Sequence, residues 1–303
     1  MPDSAALTHN TLRAGAYMVL AMASFVTNDT LVKSLGGSLP VGEIVAIRGS
    51  FATLLIALIC QWQGILGSVP HIFSKHVFSR AALDLVGTLL FITALMHMPI
   101  ANLTSILQAV PLVVAMFAAL FLGERVGWRR SLAIAGGLMG VALIVKPSPS
   151  TFTIYEALAL TIVFSLAIRD IITRRIAGHI PSLIVALANA VFVTAGGLCL
   201  GLFEGFKSVS LWQVSVLAVA AMFLGLGYVF MVLTLRTGEL SATAPFRYTI
   251  VVFAIISGAL VFHEFPDIWA VIGIALVVAS GIYAAHREAK LSRIARLSMQ
   301  SAG

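Results

Sequence analysis

Long apolar runs separated by short breaks dominate the pattern of hydrophobic and polar positions along this 303-residue chain. Each run approaches the ~20 residues that an α-helix needs to cross a hydrocarbon core about 30 Å thick. The breaks carry Gly and Pro, as in Gly36–Pro40, Gly67–Pro70 and Lys146–Pro149, and these residues interrupt helices. The pattern predicts ten transmembrane helices, near residues 13–34, 42–62, 79–97, 101–122, 128–145, 153–175, 182–203, 211–235, 241–262 and 267–286.

The distribution of Lys and Arg predicts the orientation of these helices. With the N-terminus in the cytoplasm, 13 of the 19 basic residues lie in cytoplasmic segments and three, Lys33, Lys146 and Lys207, lie outside. Because cytoplasmic loops are enriched in Lys and Arg, both termini are predicted to be cytoplasmic, in a bacterial inner membrane. Residues 287–303 are predicted to form a basic cytoplasmic tail that contacts anionic lipid.

The two halves of the chain resemble each other weakly. A shift of 141 residues places Asp29 on Asp170, and a shift of 140 places Glu124 on Glu264. Each half contains five predicted spans, and an odd number turns the second half over relative to the first. The predicted fold is therefore an all-α integral membrane protein of ten helices in two inverted five-helix repeats, an arrangement common in transporters. The repeats are predicted to cover residues 13–146 and 153–286.

Composition excludes most other classes of protein. The chain is 60% hydrophobic and 10% charged, with a mean hydropathy of +1.04, whereas a soluble protein carries about 25% charged residues. Its net charge of +7 is spread singly between apolar runs, so no nucleic-acid partner is expected. The apolar stretch from Ala14 loosely mimics a cleavable signal, but it continues to Leu35 and is expected to be retained. Cys60 and Cys199 are not expected to form a disulfide.

At the level of motifs, the chain resembles the drug/metabolite transporter superfamily, in its ten-span group built from two EamA-type repeats. In the first half the resemblance rests on Pro111 to Gly123-Glu124, on the Gly-rich Ala135–Gly140 and on Arg48. In the second half it rests on Pro245 to His263-Glu264 and on Gly273 to Gly281, and it covers about residues 13–286. The second half departs from the pattern, with His263 before Glu264 where the first half has Gly123, and with Asn189 at the position paired with Arg48.

This resemblance implies a central cavity between the halves that opens alternately to either side of the membrane. Members of the family carry amino acids, nucleotide-sugars, vitamins, S-adenosylmethionine and drugs. The expected function is therefore secondary transport of a small organic metabolite, such as an amino acid, a vitamin or a nucleoside-like solute. Proton coupling and solute exchange both remain open, as do a monomer and a homodimer, and the expected partners are the small-molecule substrate and the lipid bilayer.

Polar residues inside the predicted spans are the candidate substrate-binding residues. A charged side chain in hydrocarbon costs about 3 kcal/mol on insertion scales, so it usually faces a cavity or a partner. Arg247 follows Pro245, whose ring makes an irregular helix, and its guanidinium can hold a carboxylate or phosphate through two hydrogen bonds. The alternative is an Arg that extends to the cytoplasmic interface. The candidates are Arg247, Tyr248, Gln108, Arg48, Asn28, Asp29, Asn189 and Tyr228.

Other charged residues have structural interpretations. Arg48 could pair with Asp29 or Glu43, and Asp29 could be either a helix-end residue or a proton-coupling carboxylate. Arg80 and Asp84 have the i,i+4 spacing of an ion pair. Arg169 and Asp170 are adjacent, so they are expected to point to different sides of a cytoplasmic helix end. Glu124 and Glu264 are expected to cap or brace the bundle.

Sequence motifs of enzymes are absent from the chain. It contains no Gly-Lys-Ser/Thr phosphate loop and no His/Glu metal spacing, so no catalytic residue, metal or cofactor is expected, and no coupling to ATP. Gly136 and Gly140 form a small-residue face that suits helix packing. The alternatives to a transporter are a membrane-embedded enzyme acting on a lipid or isoprenoid, and a receptor or assembly protein.

Overall fold

The structure is a computed structural model that describes residues 4–121, 127–146, 152–173, 176, 180–237 and 243–301. All regular elements in these ranges are helical. They are eleven α-helices and two 3-10 helices: α1 Ser4–Lys33, α2 Val41–Trp62, η1 Leu66–Phe73, α3 Lys75–His97, α4 Ile100–Leu107, α5 Val110–Phe121, α6 Trp128–Val145, α7 Ile154–Thr173, α8 Ser182–Glu204, α9 Leu211–Thr237, η2 Ala244–Tyr248, α10 Thr249–Val261 and α11 Ile268–Ser301.

Six described segments are long and apolar enough to cross a membrane, which makes the chain an integral membrane protein. Two shorter apolar helices, Ser131–Val145 and Pro245–Val261, accompany them. The six segments are Val41–Trp62, Lys75–His97, Ile100–Leu120, Ser182–Glu204, Leu211–Thr234 and Ile268–Arg287.

Two of the predicted spans are not continuous α-helices. The segment 101–122 is broken by a turn at Gln108 and Ala109, between α4 and α5. Pro111 explains the break, because its ring clashes with the carbonyl of residue 107, the last residue of α4. In the segment 241–262, the described residues begin with η2, which contains Pro245, and continue as α10.

Two further boundaries differ from the sequence prediction. The Gly67–Pro70 break is not an open loop but part of the 3-10 helix η1. The predicted separate tail continues the last helix, since α11 runs through to Ser301. The first helix likewise begins earlier than predicted, at Ser4.

The described residues cluster into two compact units, and α1 and α9 each contribute to both. The first unit comprises Met1–Val26, Ile100–Thr151 and Leu226–Gly303, and the second comprises Thr27–Pro99 and Phe152–Gly225.

Helices α6 and α11 pack closely in the first unit because glycines leave room for the opposite backbone. A Cβ atom built on Gly140 would lie 2.7 Å from the Gly273 carbonyl oxygen and 3.0 Å from Cβ of Leu276. On the preceding turn, a Cβ on Gly136 would lie 3.0 Å from Oγ of Ser280. The predicted small-residue face of α6 is therefore confirmed as a packing surface.

Helices α2 and α8 form the corresponding close pair in the second unit. Gly42, at the start of α2, faces Gly201 near the end of α8. Cys60, at the end of α2, lies beside the carbonyl of Leu183 at the start of α8, with Sγ 3.9 Å from that oxygen. Opposite ends meet, so the two helices are antiparallel. Cys60 is a free thiol, as is Cys199, and no disulfide forms.

Helix ends in the described chain carry side-chain caps that the sequence interpretation did not use. Glu156 Oε2 accepts the Thr153 backbone N–H at 2.8 Å before α7, and Gln213 Oε1 accepts the Ser210 N–H at 2.8 Å before α9. Both are capping boxes, which the Ser/Thr-x-x-Glu/Gln spacing signals. These caps satisfy backbone donors that have no partner inside the helix.

Candidate functional site

A buried polar cluster of Asn28, Asp29 and Arg48 joins α1 to α2 in the second unit. Asn28 is 2% exposed and Arg48 is 7% exposed, although both lie among apolar residues. Arg48 Nη1 donates to Asn28 Oδ1 at 3.4 Å, and Asn28 Nδ2 donates to Asp29 Oδ1 at 2.9 Å. Asp29 and Arg48 also attract each other electrostatically. The structure thus brings three of the eight candidate residues into contact.

The cluster offers one charge of each sign in a setting that is otherwise apolar. Asn28 lies between the charges, accepting from the guanidinium and donating to the carboxylate. A guanidinium has five N–H donors in a fixed plane, which suit a carboxylate or phosphate. The carboxylate of Asp29 can accept hydrogen bonds from an amine or take up a proton. The arrangement can therefore recognise both ends of a zwitterion.

Asn189 does not join this cluster, although it occupies the position paired with Arg48. Its Oδ1 atom is buried and has no hydrogen-bond partner within the described part of the chain. The repeat shift of 141 residues also places Asn28 on Arg169, so Asn and Arg exchange places between the halves. Each half therefore keeps one Arg, one Asn and one Asp at equivalent positions of its first two predicted spans.

A second charge cluster in the same unit joins α3 to α7. Asp84, which is 6% exposed, receives Arg169 Nη1 at 2.8 Å on one carboxylate oxygen. Arg80 Nη1 lies 2.9 Å from the other oxygen, which confirms the predicted i,i+4 pair. Arg169 Nη2 also lies 2.6 Å from Asp170 Oδ1.

The sequence interpretation of Arg169 and Asp170 was therefore wrong. The long Arg side chain turns back to its neighbour while also reaching α3, so the two charged groups do not point apart. Asp84 and Arg169 are at similar distances from the predicted cytoplasmic ends of their spans, and this equal depth could have signalled the bridge between α3 and α7. Two positive and two negative groups leave the cluster neutral, which favours a packing role.

Gln108 and Tyr248 lie in the first unit, at the two breaks in the helices. Gln108 is 6% exposed in the turn between α4 and α5, and Tyr248 is 6% exposed at the end of η2. The hydroxyl of Tyr248 packs directly against Gly281 of α11, where no Cβ would fit. A shift of 140 residues relates Gln108 to Tyr248, so both halves break a helix at the same place. Broken helices in transporters commonly border the substrate site.

Arg247 is exposed, whereas the sequence prediction expected it to be buried in a span. It lies in η2, between Phe246 and the buried Tyr248. The ring of Phe246 packs on Gly15 of α1, where a Cβ would lie 2.9 Å from Cε2. The guanidinium is thus presented from a short, packed turn and not from a regular helix.

Aromatic and methionine side chains form the wall beside η2. Tyr228 is exposed and meets Phe25 edge-on, with ring centroids 5.5 Å apart. Tyr17 and Phe230 stack at 6.4 Å. Met18 and Met22 of α1 are buried against this group. Such a wall suits an apolar or planar portion of a ligand.

The eight candidates therefore fall into two sets. Asn28, Asp29, Arg48 and Asn189 belong to the second unit, and Gln108, Tyr228, Arg247 and Tyr248 belong to the first. Among the described residues, no group of three or more His, Cys, Asp or Glu side chains could hold a metal ion.

Acidic residues at helix ends have bracing roles. Glu264 Oε2 accepts the N–H of Ile100 at 3.0 Å, at the start of α4, so the bracing role expected of Glu264 is confirmed. His263 before it has φ 54°, in the left-handed region that favours the glycine of the first half. Glu43 accepts the N–H of Lys207 at 3.2 Å and is therefore not the partner of Arg48 in this cluster. Glu124 lies outside the described residues.

Comparison with known proteins identifies relatives along nearly the whole chain. The pseudopaline exporter CntI of Pseudomonas aeruginosa is 32% identical over 285 residues, which cover 89% of this chain and 95% of the relative. The S-adenosylmethionine uptake transporter of Rickettsia conorii is 25% identical, covering 90% and 92%. The riboflavin transporter of Vibrio cholerae is 23% identical, covering 95% and 97%. These relatives are named as transporters of small molecules.

A solved crystal structure shares the fold. It superposes with a TM-score of 0.62 at 17% identity, covering 92% of this chain and 97% of the other. The EamA-like transporter family matches the chain twice, at residues 12–146 and 153–284. With two matches that together span most of the sequence, the chain belongs to the EamA-like transporter family.

Proposed function

We propose that the protein is a secondary transporter that moves a small zwitterionic or anionic metabolite by alternating access. The observation that carries this proposal is the buried cluster of Asn28, Asp29 and Arg48, with one charge of each sign in apolar surroundings. Charged groups at such positions are costly and usually serve a substrate or ion path. The named relatives support the same class of solute, since pseudopaline, S-adenosylmethionine and riboflavin are small polar metabolites.

The ten-span, inverted-repeat arrangement is part of this proposal. Its support is the pairing within α2–α8 and α6–α11. On the shift of 141, the Gly42–Gly201 contact is exchanged with the Cys60–Leu183 contact. On the shift of 140, Gly136–Ser280 is exchanged with Gly140–Leu276 in the same way. Such exchanges are expected where a two-fold axis runs between two antiparallel repeats.

The proposed location is a bacterial inner membrane, with both termini in the cytoplasm. The bias of Lys and Arg supports this orientation. Exposed aromatic rings at helix ends support two membrane–water interfaces, because Trp and Tyr concentrate there. On the proposed cytoplasmic side these are Trp62 and Trp128, and on the other side Trp212 and Trp269.

The proposed roles of the candidate residues follow from their chemistry. Arg48 and Arg247 hold anionic groups of the substrate, and Asp29 holds its amine or takes up a proton. Asn28, Asn189 and Gln108 supply neutral hydrogen bonds, while Tyr228 and Tyr248 provide aromatic surface. Transport is driven by a proton gradient or by exchange of solutes, because the sequence has no phosphate-binding loop for ATP.

Solute counterflow in proteoliposomes tests the proposal, with amino acids, flavins and nucleosides as candidate solutes. Arg48→Gln and Asp29→Asn should each weaken uptake about ten- to a hundredfold, since each removes a charge-assisted hydrogen bond of about 1.5–3 kcal/mol. Arg236→Gln is the control, because Arg236 is exposed at the end of α9.

Counterflow that needs no ATP would support the proposal. Solute-independent turnover of a lipid by the purified protein would favour the membrane-embedded enzyme instead. Unchanged counterflow in folded Arg48→Gln and Asp29→Asn would remove these residues from the site.

A further inference from the structure

An apolar groove lies on the second unit, between η1 and α8. Its volume is about 440 Å³, and every residue that lines it is apolar. Val69 and Phe73 form the side contributed by η1, and Leu187, Val191 and Ala195 form the side contributed by α8. The groove is separate from the polar cluster of Asn28, Asp29 and Arg48.

The floor of the groove is a packed core, and its mouth is open. Ile72 and Leu187 line the groove and also belong to a buried cluster with Cys60, Ile184 and Ala188. At the mouth, Phe73 is 76% exposed and Val191 is 40% exposed. In a membrane-embedded protein this mouth opens to hydrocarbon. A lipid chain that enters gains dispersion contacts that an empty groove would forfeit.

Cationic groups lie beside one end of the groove. Phe78, in the first turn of α3, packs edge-on against the lining residue Phe192, with ring centroids 5.0 Å apart. This contact places the start of α3 next to the groove. Lys75 and His76, at that start, are both exposed.

The start of α3 also has unused hydrogen-bonding capacity. Ser74 occupies the N-cap position, but its side chain makes no cap hydrogen bond. Its Oγ atom is buried and has no partner among the residues that the structure describes. Backbone N–H groups at a helix start attract anions, and phosphate is a common occupant there.

We propose that this groove binds one anionic phospholipid. One acyl chain lies between η1 and α8, and the phosphate lies at the start of α3, near Lys75, His76 and the Ser74 hydroxyl. The proposed cytoplasmic position of this end fits, because the cytoplasmic leaflet carries anionic lipid that attracts basic segments. The site is distinct from the transport site, so it does not depend on which solute is carried.

Native mass spectrometry of the purified full chain tests the site, with phosphatidylglycerol and phosphatidylcholine as probes. Phosphatidylglycerol should be retained in a one-to-one complex, and phosphatidylcholine should bind at least severalfold more weakly. Lys75→Gln should weaken phosphatidylglycerol about fivefold, the effect of one basic residue near a charged surface. Lys207→Gln is the matched control, an exposed lysine at the other end of α8 from the groove.

Filling the groove provides the second arm. Val191→Trp should abolish retention of both lipids, because the indole would occupy the place of the acyl chain. Leu202→Trp, at an exposed position of the same helix outside the groove, should leave retention unchanged. If Val191→Trp fails to fold by size-exclusion chromatography, Ala195→Leu fills less of the groove and should still weaken binding.

Three results would overturn the proposal. The first is equal retention of the two lipids, and the second is retention that Lys75→Gln and the filled groove leave unchanged. The third is full competition by soluble glycerol 3-phosphate, which would show a free phosphate site that does not use the groove.

Discussion

At the residue scale, the placement of Arg and its partners distinguishes the two charged clusters. Arg169 is committed to Asp84 and Asp170 at 2.8 and 2.6 Å, so its charge is balanced within the bundle. Arg48 meets a neutral amide at a longer 3.4 Å. A guanidinium bound less tightly by its own protein can bind a substrate at lower cost. Arg48 is for this reason the better substrate ligand of the two.

Arg247 gives the next prediction at this scale. If its guanidinium holds a substrate carboxylate or phosphate, Arg247→Lys should lower substrate affinity about ten- to a hundredfold, since Lys lacks the planar fork. The fold should survive, because Arg247 is exposed. Affinity is measured by thermal shift or counterflow, with Arg236→Lys as the control. Wild-type affinity in both Arg247→Lys and Arg247→Ala would show an interfacial residue.

Asp267 gives a pH prediction. The hydrogen bond from Lys146, followed by the backbone N–H of Ala270, holds the pKa of Asp267 below its ordinary value of 3.8. A lowered pKa in the folded state contributes stability above about pH 3.8, and that stability is lost as pH falls through the folded pKa. The effect should be small because the pair is exposed.

The measurement is the melting temperature between pH 6 and pH 3. Asp267→Asn should flatten its fall with acidification relative to the wild type. Asp170→Asn is a less suitable comparison, because Asp170 is tied to Arg169. A curve for Asp267→Asn that matches the wild type would contradict the contribution.

At the element scale, close packing of α6 on α11 depends on the absence of side chains at Gly140 and Gly273. Gly140→Leu should lower stability by about 1–3 kcal/mol, because it must push the Gly273 carbonyl away. Thermal unfolding in detergent measures this loss. Gly67→Ala is the control, since a Cβ there meets nothing within 4 Å. An unchanged melting temperature in Gly140→Leu would mean that α6 and α11 separate at no cost.

At the scale of the whole molecule, the topology itself is testable. A cytoplasmic reporter fused after residue 290 should be active, because both termini are proposed to be cytoplasmic. A second fusion after Lys207, between α8 and α9, should instead favour a periplasmic reporter. Opposite signals at either position would reject the proposed orientation, and equal signals at both would reject the number of spans between them.

The sequence alone determined the membrane-embedded, helical character of the chain, the equivalence of positions in its two halves and the residues able to bind a polar solute. These properties are local, since transfer free energy and helix periodicity depend on each segment by itself. The proline-induced break after Leu107 is also local, and Pro111 could have predicted it.

Only the tertiary structure decided which side chains meet. Arg48 had two sequence candidates as partner, Asp29 and Glu43, and the structure gave it a hydrogen bond to Asn28 instead. The bridge from Arg169 to Asp84 likewise joins helices that are 85 residues apart in the chain. Such contacts depend on the relative rotation and axial shift of packed helices. Those variables are set by interdigitating side chains on both partners, and neither segment contains that information by itself.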